Sequence, residues 1–150
     1  MAKIHALVKI SDSVTERENL YQWLDTLAKK YRLYILCGGG VTITEKLNEE
    51  KIPFKFKDGR RVIKSEEGRK LAAEVLEGKR VFVENELRRR GIPASVFSPV
   101  IKFGDKICHL NGDHIVMMVY HNFGKVFIAT SNGTNKDSLK FIKGIEIIEL

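Results

Sequence analysis

Apolar residues alternate with polar residues from the start of the chain, over positions 4–10, and this alternation predicts a β-strand. Ser13-Val14-Thr15-Glu16 then matches a capping box and precedes apolar residues at helical spacing, which predicts a helix ending near Lys29-Lys30. A continuous apolar run over 33–37 is typical of a strand buried inside a parallel sheet. Residues 1–37 therefore predict a β-α-β unit.

In the rest of the chain, segments with helical spacing of apolar residues alternate with segments typical of strands. Helices are predicted over 41–50, 65–77, 81–90 and 113–122, with Ser65 as a cap and Gly78 as a stop, and strands over 94–97, 126–130 and 145–148. Hairpins are predicted over 54–63, around Asp58-Gly59, and over 100–110, around Gly104-Asp105, and a polar loop over 131–137. This order predicts an α/β fold in one domain over 1–150: a three-layer αβα sandwich with a mostly parallel sheet and β-hairpins.

Composition limits the class of protein. The 150 residues are 43% hydrophobic and 30% charged, which excludes a disordered or low-complexity chain. The longest apolar run, 115–120, is far shorter than the roughly 20 residues that span a bilayer, and Met1-Ala2-Lys3 does not begin a signal peptide. Only two cysteines are present, too few for a disulfide framework. We therefore expect a reduced, cytoplasmic protein without a membrane segment.

The charge favours anionic partners. Twenty-six basic and 19 acidic residues give a formal net charge of +7, with an isoelectric point near 9.4. The net charge alone does not distinguish nucleic acid, nucleotides, phosphorylated metabolites and carboxylic acids as partners.

Four local features could carry chemistry. Gly38, Gly39 and Gly40 separate a buried strand from a helix, where backbone N–H groups can bind an anion; a plain tight turn is the alternative. Lys9 ends the first strand and would face the same rim, or simply the solvent. Asp113 could act in a site or cap a helix. Arg60 and Arg61 are adjacent in a predicted strand, so their side chains point to opposite faces and only one of them can enter a given pocket.

In this order, the features resemble the amino acid kinase family, most closely its acetylglutamate kinase branch. Lys9–Ser13 stands where the family has Lys-x-Gly-Gly-Ser, and Cys37–Gly40 where it has His-Gly-Gly-Gly. Gly59–Val62 matches its Gly-x-Arg-Val segment, and His109–Asp113 corresponds to Asn-x-Asn-x-Asp. The resemblance covers nearly the whole chain.

The resemblance also implies roles for these residues. Lys9 would neutralise a transferring phosphoryl group, to which the glycine loop 38–40 would donate N–H groups. Arg61 would bind a substrate carboxylate and Asn111 would line the acid site, while Asp113 would orient the lysine. The catalytic pair is thus Lys9 and Asp113, no metal-ligating residue is expected, and Mg-ATP would be the cofactor of an active form.

The sequence departs from the family at Ser11 and Asp12, which replace two glycines and place a carboxylate where phosphate should sit. The family's later Gly-Gly-Met…Lys segment, which carries most of the nucleotide site, is also missing. We therefore expect a degenerate kinase-like domain, a pseudoenzyme that binds a small anionic metabolite, carboxylate or phosphate, with little or no phosphotransfer. One alternative is an active small-molecule kinase that completes its site by oligomerisation, for which a homodimer is expected by resemblance.

Three further interpretations are less well supported by the sequence. A basic nucleic-acid-binding module would use the clusters at 55–61 and 88–90, although a solvated helix end explains the second cluster better. Cys37 could be a nucleophile but is more typical of a buried structural thiol. His109, His114 and Asp113 could hold a metal, but their spacing is nonspecific.

Overall fold

The structure is a computed structural model that describes residues 1–133, 136–140 and 142–150. Five strands form the main sheet: β1 (Ile4–Ile10), β2 (Tyr31–Cys37), β5 (Ala94–Phe97), β8 (Lys125–Thr130) and β9 (Ile145–Glu149). Two hairpins lie outside it: β3 (Lys55–Lys57) with β4 (Arg60–Val62), and β6 (Val100–Phe103) with β7 (Lys106–His109). The helices are α1 (Glu18–Lys30), α2 (Gly40–Glu49), α3 (Glu66–Arg89), α4 (Gly112–Val119) and α5 (Asp137–Lys140).

The sheet has the order β5-β2-β1-β8-β9, and each neighbouring pair runs parallel. β1 lies at the centre of the sheet, and its residues 6–10 are all buried. Burial on both faces is typical of the central strands of a parallel sheet. In the register, Ile10 lies opposite Cys37 of β2 and Ala129 of β8. The segments that follow these three strands therefore meet at one edge of the sheet.

Apolar side chains cover both faces of the sheet, which confirms the predicted three-layer sandwich with its parallel sheet. On one face, α1 and α3 pack on β1, β2 and β8; the buried residues there include Leu20, Leu24, Val83, Leu87, Val8, Ile35 and Phe127. On the other face, α4 and α5 contribute Val116 and Leu139, which pack on Leu7 and Ile128. A third cluster joins α2 to the first half of α3 through Ile43, Leu47 and Leu76. Within the described ranges, no helix has the length and apolarity to span a membrane.

The predicted capping box at 13–16 is wrong. Asp12–Val14 forms a 3-10 turn, and α1 begins four residues after it, at Glu18, with Arg17 at the N-cap position. The tertiary contacts decide this, because the Thr15 hydroxyl donates to the Ser11 carbonyl while the buried Tyr21 hydroxyl donates to the Thr15 carbonyl at 2.7 Å. These bonds hold the backbone in a turn where the local pattern favours a helix start.

The predicted break at Gly78 is also wrong, since α3 runs through it without interruption. A glycine inside a helix costs only about 1 kcal/mol, and burial of Leu76, Val83 and Leu87 on either side outweighs that cost. Ser65 caps this helix as predicted, accepting a hydrogen bond from the Gly68 N–H at 3.1 Å. The helix expected from Asp113 begins at Gly112 and gives way to a 3-10 turn over Tyr120–Asn122.

Two glycines of α3 allow a matched test of the packing. A Cβ added at Gly68 would lie 2.5 Å from Ile63 Cγ2 and 2.8 Å from Ile52 Cγ2, whereas one added at Gly78 would have no neighbour within 4 Å. We expect Gly68→Ala to lower the free energy of unfolding by about 1–3 kcal/mol through overpacking. Gly78→Ala should raise it by about 0.5–1 kcal/mol, because alanine has the higher helix propensity. Urea unfolding measures both values, and a stabilised Gly68→Ala variant would contradict the packing described here.

Candidate functional site

A cleft of about 590 Å³ opens at the carboxyl edge of the sheet. The chain leaves β1 towards β2 but leaves the adjacent β8 towards β9, so the two connections diverge at this edge. Ligands of open α/β sheets bind where neighbouring connections diverge in this way. The cleft is lined by the end of β1, the segment 38–40, the β3–β4 hairpin, residues 109–113 and Lys136.

Three charged side chains form the floor of the cleft. Lys9 Nζ lies 3.1 Å from Asp113 Oδ1, and Lys136 Nζ lies 2.6 Å from Asp113 Oδ2. Both lysine side chains are less than a tenth exposed, and that of Asp113 is 23% exposed. Two lysines therefore share one carboxylate in this charged cluster, Lys9–Asp113–Lys136, and its formal charge is +1 when both ammonium groups are protonated.

Burial and pairing set the protonation of the charged cluster. Burial lowers the pKa of Lys9 below its usual range, although the Asp113 carboxylate partly opposes this effect. Burial alone would raise the pKa of Asp113, but the two ammonium groups outweigh it, and the pKa of this carboxyl lies below its usual range. Asp113 is therefore ionised at neutral pH.

The glycine segment packs tightly against β1. The Gly38 N–H donates to the Ile10 carbonyl at 2.8 Å, and a Cβ at Gly38 would lie 3.1 Å from that oxygen and 3.3 Å from Lys9 Nζ. None of the three glycines has a positive φ, so the tight-turn alternative does not explain them. Glycine is needed at Gly38 for close approach, and this brings the segment against the lysine.

The N-terminus of α2, which begins at the last of the three glycines, is occupied by the protein's own carboxylate. Asp12 Oδ2 accepts a hydrogen bond from the Thr42 N–H at 2.7 Å, and Asp12 Oδ1 lies 2.8 Å from Lys79 Nζ. The Asp12 side chain is only 6% exposed. Burial would raise its pKa, but Lys79 and the Thr42 N–H together lower it, so the carboxylate is charged at neutral pH.

Arg61 and Asn111 hold the β3–β4 hairpin beside the cleft. Arg61 donates to the Gly40 carbonyl and to Thr44 Oγ1, each at 2.8 Å, and its guanidinium lies against the rings of Phe54 and Phe56, about 5 Å from each ring centre. Asn111 caps α4 by accepting from the His114 N–H and donates its amide to the Gly59 carbonyl, both at 3.1 Å. Both side chains thus connect the elements that form the walls.

The structure brings all seven residues predicted for the site to this cleft: Lys9, Gly38, Gly39, Gly40, Arg61, Asn111 and Asp113. Sequence reasoning missed Lys136 and the partnership of Asp12 with Lys79. A signal for Lys136 was present, since it lies in the polar segment after β8, at the edge where the other predicted residues collect. On the same edge, the hydroxyls of Ser11 and Thr130 are buried and have no hydrogen-bond partner among the described residues.

The geometry also bears on the three further interpretations of the sequence. Burial raises the pKa of the Cys37 thiol to about 12, which keeps it protonated and matches a structural thiol. In the described part of the chain, no three His, Cys, Asp or Glu side chains are grouped to hold a metal ion. Each arginine of the cluster 88–90 forms ion pairs with glutamates of α3 or α1, so their charges are largely compensated.

Comparison with known proteins yields similar folds only. No protein family matches the sequence, and no curated protein matches it either. Among solved structures, N-acetylglutamate synthase from Neisseria gonorrhoeae, determined with coenzyme A and L-arginine, is 13% identical with a TM-score of 0.67. The match covers 92% of this chain and 46% of that one. The smu.665 protein of Streptococcus mutans is 17% identical with a TM-score of 0.62, over 86% of this chain and 76% of that one.

These comparisons contradict the resemblance to amino acid kinases. The similar structures include an acetyltransferase and no amino acid kinase is indicated, so the kinase-like assignment, in its degenerate or its active form, is wrong. The position of Asp12 gives a physical reason, since a carboxylate already occupies the helix N-terminus at which the motif would bind phosphate. The nucleic-acid module gains nothing from the comparisons. The homodimer, expected through the same resemblance, stays a prediction.

The charged cluster makes a testable prediction about pH. Replacing Asp113 by Asn removes the carboxylate that both buried lysines, Lys9 and Lys136, contact, and we expect a loss of about 3–5 kcal/mol in the free energy of unfolding at pH 7. The Asp113 pKa lies below its ordinary value of 3.8 in the folded protein, so its contribution is complete above that value and is lost as the pH falls through the folded pKa. The difference from wild type should therefore narrow at pH 3.

Urea unfolding at pH 7 and pH 3 measures this difference. Asp105→Asn, in the exposed β6–β7 turn, makes the same change of charge away from the cluster and should shift stability by less than about 0.5 kcal/mol. Equal stability of Asp113→Asn and Asp105→Asn at pH 7 would show that the charged cluster does not hold α4 to the sheet.

Proposed function

We propose that this chain is a small-molecule-binding domain whose cleft holds a small carboxylic acid, of about the size of an amino acid. The observation that carries this proposal is the excess positive charge of the charged cluster, Lys9–Asp113–Lys136, at the floor of an open cleft. No phosphoryl transfer is part of the proposal.

The charge of the cluster supports an anionic ligand. A buried cation without its own counterion is costly, and a second carboxylate beside Lys9 and Lys136 would restore neutrality. Hydrogen bonds between ammonium and carboxylate groups are also among the stronger ones in proteins. Arg60, on the β3–β4 hairpin, adds further positive potential at the rim of the cleft.

The walls of the cleft support a ligand with an apolar body. Ile43, Val62, Ile63, Leu76, Pro99 and Leu110 line the cleft beside the charged floor. A volume of about 590 Å³ falls within the range of roughly 300–1,000 Å³ that is usual for small-molecule sites. Such a site favours an acid whose carboxylate meets the lysines and whose carbon chain meets the aliphatic wall.

The structural neighbours bear on this proposal only through the fold. N-acetylglutamate synthase was solved with coenzyme A and L-arginine, but this chain spans less than half of that protein. L-arginine brings a second positive group into a cleft that is already cationic, so we expect it to bind less well than an acidic or acylated amino acid. We also propose a cytoplasmic location, since both cysteines, Cys37 and Cys108, are free.

Calorimetric titration with L-glutamate, N-acetyl-L-glutamate and L-arginine tests the proposal. We expect the two acids to bind, and Lys136→Met to weaken them by about tenfold or more, because a charge-assisted hydrogen bond contributes about 1.5–3 kcal/mol. This variant keeps the balanced Lys9–Asp113 pair and should remain folded. Lys106→Met, on the exposed side of β7, removes the same charge outside the cleft and should bind as wild type does. Absence of heat with every acid would refute the proposal.

A further inference from the structure

We propose that Lys9 is a nucleophile, whose amine captures the carbonyl carbon of a 2-oxo acid in the cleft as an imine. The inference rests on the proposed binding of carboxylic acids, and it narrows them to acids with a carbonyl group next to the carboxylate. It assigns covalent chemistry to a side chain of which the proposed function uses only the charge.

The Lys9 amine is held in one position at the floor of the cleft. Lys9 lies two residues after Leu7 in β1 and therefore on the same face, towards α4 and α5. A Cβ at Gly112 would lie 3.0 Å from Lys9 Cε, and one at Gly38 would lie 3.3 Å from Lys9 Nζ. Glycine at these two positions keeps the space that the lysine side chain fills. An amine positioned in this way needs little reorientation to react.

The charged cluster favours the release of one proton. Lys9 Nζ lies 3.1 Å from Asp113 Oδ1, and Lys136 Nζ lies 2.6 Å from Asp113 Oδ2. Two buried ammonium groups on one carboxylate give a formal charge of +1, and either the loss of one proton or the arrival of one anion restores neutrality. A lysine that is withdrawn from solvent and lies beside another cation is activated as a nucleophile, because the free amine is the form that attacks a carbonyl carbon.

Of the two lysines, Lys9 is the one favoured to lose the proton. Burial lowers the pKa of Lys9, and the Lys136 ammonium lowers it further, while the Asp113 carboxylate opposes both effects. Lys136 also makes the shorter contact with that carboxylate, at 2.6 Å against 3.1 Å. We therefore assign the nucleophile to Lys9 and the fixed positive charge to Lys136.

The same contacts favour a 2-oxo acid over other carbonyl compounds. Because Lys9 and Lys136 contact the two oxygens of one carboxylate, one small molecule can contact both nitrogens. The carbonyl carbon of a 2-oxo acid is bonded directly to the carboxylate carbon, so a carboxylate on Lys136 brings the carbonyl group to Lys9. The product is also balanced in charge: the iminium and Lys136 are positive, and Asp113 and the acid's carboxylate are negative.

The step needs no reagent beyond the protein and the acid. The Lys9 ammonium passes a proton to Asp113, and the nitrogen lone pair forms the C–N bond while the carbonyl π pair moves to oxygen. That oxygen takes a proton from the nitrogen, and the resulting hydroxyl leaves as water with the proton held by Asp113. The C–O bond breaks as the C=N bond forms, and the iminium keeps one proton. Nothing is oxidised or reduced, and one water is released for each imine.

Reductive trapping tests the proposal. Sodium cyanoborohydride converts an iminium into a stable secondary amine, so peptide masses identify the lysine that formed it. We would treat wild type with pyruvate, acetone or L-lactate in its presence. Acetone has a methyl group in place of the carboxylate of pyruvate, and L-lactate has a hydroxyl in place of the carbonyl. Lys9→Met removes the amine and leaves Asp113 and Lys136 balanced, while Lys106→Met makes the same change on the exposed side of β7.

We expect pyruvate to label Lys9 at least about tenfold faster than Lys106, because activation and positioning both favour Lys9. Acetone should label Lys9 at least about tenfold more slowly than pyruvate, and L-lactate should give no adduct. Lys9→Met should lose the label, and Lys106→Met should keep it on Lys9. Labelling of Lys9 no faster than that of Lys106 would overturn the inference. The labelled site is identified in wild-type peptides, so this result does not depend on the folding of Lys9→Met.

Calorimetry with the acids separates this inference from the proposed function. Heat from L-lactate or L-glutamate without a pyruvate adduct on Lys9 would leave the carboxylate function standing and refute the imine. Equal labelling of Lys9 by pyruvate and acetone, with no heat from any acid, would keep Lys9 as a nucleophile but overturn both the restriction to 2-oxo acids and the carboxylate function.

Discussion

The burial of a lysine in the central strand is the constraint on which the site depends. Lys9 lies among the apolar residues of β1 with less than a tenth of its side chain exposed, and an isolated ammonium there would be strongly destabilising. Asp113 is the group that makes its charge tolerable, so the N-terminus of α4 must lie at the carboxyl end of β1. Asn111 then fixes the start of that helix and, through the Gly59 carbonyl, the hairpin beside it. One buried charge thereby determines where three separate segments meet.

Such a cluster is not an economical way to stabilise a fold. A buried ion pair often contributes less than well-packed apolar groups of the same volume, because desolvation offsets the attraction. Two lysines on one carboxylate are poorer still, since among the described residues they share a single counterion, Asp113. By contrast, Asp12 and Lys79 are balanced, and the carboxylate is almost completely enclosed. The contrast is consistent with a structural role for the Asp12 pair, and it supports the proposal that Lys9 and Lys136 bind an anion.

Most of the fold could be predicted from the sequence, because the spacing of apolar residues directly reflects which side chains are buried. The uninterrupted apolar run at 33–37 and the alternating residues 4–10 became neighbouring parallel strands, since both faces of the central sheet are covered. Local signals failed where tertiary contacts outweighed them. The capping box predicted a helix start at 13–16, but the hydrogen bond between Tyr21 and Thr15 holds a turn there. Gly78 was predicted to end a helix, but the helix continues because side chains on both halves of α3 are buried. Lys136 was missed because its position in the polar segment after β8 indicates only the edge of the sheet, and not that its side chain contacts Asp113.

The mistaken family assignment has a physical explanation of its own. A lysine at the end of a strand, glycines after the next strand and an acidic residue at a helix start are all favoured by the geometry of a parallel α/β sheet, because these positions meet at one edge. Their order along the chain therefore reports the layout of the fold, and it located the cleft without identifying its chemistry. That chemistry depends on which charges remain uncompensated once the side chains have paired. Asp12 shows this most clearly, since one carboxylate, 2.7 Å from the Thr42 N–H, turns a setting suited to phosphate into one that is already filled.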